Sequence, residues 1–107
     1  MTHGGLMIVQ RWTAPLSPSK EQLSILLENE GLEPFSESLP PNEKIIDHRH
    51  PFTEVRIILS GELLFNVAGN QMLLRQGDRI EIPANTKHAH TTQGAEPCLC
   101  ICAHKLA

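Results

Sequence analysis

The stretch His48-Arg49-His50-Pro51-Phe52-Thr53-Glu54, closed by Gly61, decides the reading of this chain. Its two imidazoles and its carboxylate stand at positions 48, 50 and 54, all even. Side chains two residues apart on a β-strand leave the same face, so an extended chain would turn all three to one side. Neutral imidazoles and a carboxylate gathered there suit a divalent transition metal, with donors at about 2.0–2.2 Å. His88 follows 34 residues after Glu54, beyond a glycine turn and Pro83, and can supply a fourth ligand. A histidine pair by itself is more often two solvent-facing side chains on an exposed strand, so the wider pattern has to decide.

That wider pattern resembles the cupin superfamily. The first cupin motif, G(x)5HxH(x)3,4E(x)6G, is matched at every spacing by His48, His50, Glu54 and Gly61. Asn42 replaces the leading glycine, a mild change because Asn also accepts a positive φ. The second motif, G(x)5PxG(x)2H(x)3N, is matched by Gly77, Pro83 and His88, with Asn85 at the second glycine and Thr92 at the final Asn. The two motifs span roughly residues 42 to 92, with 15 residues between Gly61 and Gly77. The resemblance implies that His48, His50, Glu54 and His88 bind one metal ion. It also implies an all-β fold, the double-stranded β-helix or jelly-roll barrel.

Composition is consistent with that expectation. At 107 residues, the chain is read as a single domain, 1–107, large enough for one core without disulfide or metal staples. A formal charge of −3 gives no electrostatic reason to expect nucleic acid. No apolar run approaches a membrane span, and Met-Thr-His-Gly-Gly-Leu lacks the basic-then-apolar order of a signal peptide, so a cytoplasmic location is the expectation. His3, beside two glycines, is given no role.

Along the chain, Leu6 to Trp12 reads as a first strand. Ser17-Pro18 offers an N-cap with proline at the first helical position. Leu23, Leu26 and Leu27 then recur at helical spacing up to Gly31, a residue suited to follow a helix end. This N-terminal unit, about 6–31, is expected to lay one short helix on the outside of a barrel covering about 42–104. Within the barrel, strands are expected at Phe52–Ser60, Leu63–Val67, Met72–Gln76, Arg79–Ile82, Lys87–Gln93 and Cys98–His104, with Ala68-Gly69-Asn70 as a hairpin tip. Exposed apolar strand residues such as Met7-Ile8-Val9 need a cover, and a homodimer is expected.

Parity nominates the surroundings of the metal. If Glu54 faces inward, Phe52, Arg56 and Ile58 share its side and Val55, Ile57 and Leu59 face away. Arg56 is then a candidate to hold an anionic substrate, or it pairs with an acid such as Asp78 or Glu81. His90 and Thr92 share the face of His88, and His90 is a candidate general acid/base or a buried structural histidine. Cys98, Cys100 and Cys102, with His104 in the same parity, lie about 7 Å apart at Cα on a strand, too far for an easy disulfide. Buried small hydrophobes are the favoured reading of these thiols.

Three functions fit this site. A three-histidine, one-carboxylate centre can act on O₂ and an enolisable small molecule, as a dioxygenase. It can isomerise or cleave a small hydroxy or keto acid by polarising a carbonyl. It can also bind a small molecule or metal without catalysis. Glu54-Val55-Arg56 and Gly61-Glu-Leu-Leu-Phe65 are similar to a stretch of the longer acireductone dioxygenases, which favours the first. Three nitrogen donors and one oxygen accept Fe, Mn, Ni, Cu or Zn.

Overall fold

The computed structural model describes residues 7–106, so His3 and the start of the first expected strand at Leu6 lie outside the described residues. Two antiparallel sheets face each other. One carries β1 (Ile8–Gln10), β2 (Phe35–Leu39), β4 (Thr53–Ser60), β7 (Arg79–Ile82) and β9 (Cys98–Lys105), in the order β1-β7-β4-β9-β2. The other carries β3 (Lys44–His48), β5 (Glu62–Val67), β6 (Asn70–Leu74) and β8 (His88–Gln93), in the order β3-β8-β5-β6. With one helix, α1 (Lys20–Asn29), this is the expected jelly roll.

Alternation sorts the two central strands. Ile58 on β4 and Cys98, Cys100 and Cys102 on β9 point between the sheets, packing with Leu63, Phe65, Leu74, Ile80 and Ile82. Val55, Ile57, Ile101 and Ala103 point outward, beneath Leu23 and Leu27 of α1. Both leucines are fully buried, each worth about 2 kcal/mol of transfer free energy. The thiols therefore pack as small apolar groups. Cys98 Sγ lies 3.8 Å from Cys100 Sγ, and all three are free.

Three local expectations are corrected. The helix N-cap is Ser19 and not Ser17: its Oγ accepts from Gln22 N at 3.1 Å, and Gln22 Oε1 accepts from Ser19 N at 2.8 Å. That reciprocal box needs Gln three residues after the cap, which only Ser19 has. Strand β2 was not anticipated, because Phe35-Ser-Glu-Ser-Leu39 is an edge strand with only Leu39 buried. The first strand is shorter than expected, three residues from Ile8 to Gln10. Backbone substitutions in the two motifs follow the glycine logic: Asn42 sits at φ 62° and Asn85 at φ 61°, where glycine would be at ease. Gly61, at φ 83°, has no room for a side chain, since a Cβ would stand 2.6 Å from Pro97 O.

Candidate metal centre

The expectation that His48, His50 and Glu54 share one strand face is also corrected. His48 ends β3 in the four-stranded sheet, while Glu54 lies on β4 in the five-stranded sheet. His50 sits on the segment 49–52 that crosses between them, outside any strand. Even spacing survives, but its cause differs. Ile45 pairs with His90 and His48 pairs with His88, so three steps on β3 match two on β8. One extra residue is absorbed as a bulge, which re-aims His48 to the side of His88.

The structure brings His48, His50 and His88 together, with one ring nitrogen from each within 4.8 Å of the others. Ring centroids of His48 and His88 are 4.2 Å apart, and those of His50 and His88 are 5.1 Å apart. Hydrogen bonding prepares two of the three. His48 Nδ1 donates to Ile46 O and His88 Nδ1 donates to Thr86 O, each at 2.8 Å. A neutral imidazole with its proton on Nδ1 presents the Nε2 lone pair, the state a metal requires. His88 Nε2 is buried without a hydrogen-bond partner. Its nearest acid oxygen, Glu54 Oε1, is 3.5 Å away, too long for a good bond. An orphaned, inward-aimed nitrogen beside two other imidazoles fits a cation.

Glu54 Oε1 stands 3.2 Å from His50 Nε2, which places the carboxylate against the cluster. Its other oxygen accepts from Arg56 Nε at 3.0 Å. Burial pushes the Glu54 carboxyl up, but neighbouring His88 and the Arg56 charge outweigh it and hold the group down at about 2. Arg56 is itself buried and also binds Glu37 on β2. Neither Asp78 nor Glu81 partners it: Asp78 takes Arg11, and Glu81 takes Arg79 and Lys105. Sequence reasoning missed Glu37, because it lies on the strand that was not anticipated.

The other parity expectations meet the structure as follows. His90 and Thr92 face inward with His88, both buried, and His90 Nδ1 and Thr92 Oγ1 have no hydrogen-bond partner. Burial and then the Arg56 charge push the His90 imidazole down to about 4, so it is neutral near pH 7. Its ring lies 6.4 Å from that of His48, outside the three-nitrogen cluster. Burial also draws His50 below its usual value, against the pull of Glu54. Among the thiols, contacts with Cys102 and Cys98, and then Arg56, draw Cys100 below the usual thiol range, while Cys100 and burial shift Cys98 and Cys102 above it.

An aromatic row lines one side of the centre. His50 stacks on Phe52 at 4.8 Å and 11°, and Phe52 stacks on His104 at 3.9 Å and 24°. Phe35 then meets His104 edge-on at 5.1 Å. Phe35 and His104 also border a surface groove of about 850 Å³ beside the C-terminal end of α1.

Comparison with known proteins places the chain in a family. Residues 35–104 match the cupin domain, and the chain belongs to that family. A 52-residue stretch is 40% identical to acireductone dioxygenase of Bacillus licheniformis, covering 44% of this chain and 29% of that one. A 52-residue stretch is 35% identical to quercetin 2,3-dioxygenase of Bacillus subtilis, covering 48% of this chain and 15% of that one. The chain thus spans under a third of the length of the curated relatives it matches. A crystal structure of the DMSP lyases RdDddP and RnDddQII is similar with a TM-score of 0.65 at 27% identity, covering 71% of this chain and 39% of that one. Among the described residues, no helix is long and apolar enough to cross a membrane.

Proposed function

We propose that this cupin is a mononuclear metal-dependent enzyme acting on a small, anionic or enolisable molecule, in the manner of a dioxygenase. The carrying observation is the convergence of three imidazole nitrogens on a buried carboxylate, with Nδ1 of His48 and of His88 turned to a backbone carbonyl so that Nε2 is the atom left for the cluster. His48, His50, His88 and Glu54 would hold the ion. When bound, it supplies Lewis acidity and a binding position for an oxygen donor of the substrate.

The remaining residues define what the site accepts. Arg56 fixes one oxygen of Glu54 and leaves the other directed at the imidazoles. A divalent ion, Arg56, Glu54 and Glu37 together carry a net charge of about +1, which favours an anionic ligand. Arg56 is thereby our candidate to face the anionic end of the substrate. His90, neutral and with an unpartnered Nδ1, is the candidate to take or return a proton. Local identity to two dioxygenases supports oxygen chemistry. The likeness to DMSP lyases supports a lyase as the second reading. Exposed Ile8 on edge strand β1 supports a homodimer.

The test loads the protein with Fe(II) and screens small enolisable acids and diols for O₂ uptake. Uptake with turnover supports the dioxygenase reading, and turnover that persists without O₂ supports the lyase. Ligand binding without turnover under any metal would reduce the protein to a binding module.

A further inference from the structure

The three histidines of the cluster are not held alike. His48 and His88 each have Nδ1 tied to a backbone carbonyl two residues earlier, at 2.8 Å. Among the described residues, His50 has no such bond from its ring. It also lies outside the strands, on the crossing segment, and its side chain is 29% accessible against 1% for His88. Its backbone is anchored, since His50 O accepts from Asn85 N at 2.6 Å, and its Nε2 meets Glu54 Oε1 at 3.2 Å, but among the described residues no backbone carbonyl fixes its Nδ1.

What the ring does have is a near-parallel neighbour. Phe52 covers one face at 4.8 Å and 11°, and His104 backs Phe52 at 3.9 Å. His104 belongs to β9, paired across from Glu54 on β4, and Phe35 of β2 closes the row edge-on. The row runs from the crossing segment to ordered strands of the five-stranded sheet. Offset stacks of this kind favour one ring orientation over the alternatives, beyond the area they bury.

We propose that Phe52, backed by His104, is a positioning residue that orients the His50 imidazole for metal, replacing the carbonyl hydrogen bond that holds the other two histidines. The inference rests on the metal reading given above. Flanking groups that orient a ligating histidine typically change metal affinity by about 10–100-fold when removed.

The test compares Phe52→Leu, which keeps apolar bulk without a ring face, with Phe52→Tyr, which keeps the face, and with His104→Ala. Co(II) affinity is measured by chelator competition, and side-chain ¹⁵N NMR of the histidines is recorded in metal-free protein. F52L should weaken Co(II) binding about 10–100-fold and H104A by about 3–10-fold, with F52Y within about 3-fold of the parent. In metal-free protein, F52L should alter the His50 signals and leave the Nδ1–H signals of His48 and His88 in place. Unchanged affinity with unchanged His50 signals would overturn the proposal, as would a loss that F52Y shares or that reaches His48 and His88 equally. If the parent takes up no Co(II), the metal reading fails, while the His50 signals still decide whether Phe52 orients the ring.

Discussion

Replacing Arg56 with methionine should destabilise the metal-free protein by about 3 kcal/mol near pH 7, and by progressively less in acid. The substitution keeps an apolar stem of similar length and removes the guanidinium that binds Glu54 Oε2 at 3.0 Å. Glu54, only 5% exposed, then keeps its charge with imidazoles as its remaining close neighbours. Two routes give the magnitude. Removing one partner of a buried ion pair typically costs about 3–5 kcal/mol. Independently, a carboxyl held at about 2 and not at its usual 4.5 corresponds to roughly 3 kcal/mol of preference for the charged form, of which Arg56 supplies a part. Glu37, the other partner, is 41% accessible and adds little. A carboxylate depressed in the folded state stabilises the fold above its unfolded value and loses that contribution as pH falls toward its folded one. The gap between parent and variant should therefore be widest above pH 4.5 and close as the pH drops toward about 2. Urea unfolding of chelator-treated protein at about pH 7 and about pH 3.5 measures both, and the double variant with Glu54→Gln should recover more than half of the loss. A gap under about 1 kcal/mol, or one indifferent to pH, would refute the reasoning.

Three other perturbations probe separate parts of the structure. His88→Ala and His50→Ala should each abolish stoichiometric metal in elemental analysis of purified protein, while circular dichroism keeps the β spectrum. Gly61→Ala should cost about 2–4 kcal/mol, combining a left-handed backbone with a Cβ placed 2.6 Å from Pro97 O, and thermal unfolding reads it directly. Ser19→Ala should cost about 1 kcal/mol through loss of the capping box, whereas Ser17→Ala should stay within about 0.5 kcal/mol, a contrast that chemical denaturation can resolve.

Much of the fold was legible because two-sheet packing writes itself as alternation. On β4 and β9 the inward and outward residues separate by parity as expected, since both faces are buried and a one-residue slip would exchange them. The candidate site was legible in composition but not in construction. His48, His50 and Glu54 keep the same even spacing whether they ride one strand or cross between sheets, so spacing could not reveal the bulge on β3 or the crossing at 49–52. Strand β2 hid because four of its five residues are not buried, and with it hid Glu37, the second partner of Arg56. The N-cap was recoverable from sequence: Gln22 three residues after Ser19 was the signal.

The crossing at 49–52 has a thermodynamic consequence. Donors at His48 and His88 belong to one sheet and Glu54 to the other, with His50 on the chain that bridges them. An ion seated among them would be a removable rivet through the sandwich, and its free concentration would set the melting temperature by mass action, about 2.7 kcal/mol at a hundredfold excess over Kd. The same rivet would couple in the opposite direction: any force that spreads the two sheets would lower metal affinity by the same free energy.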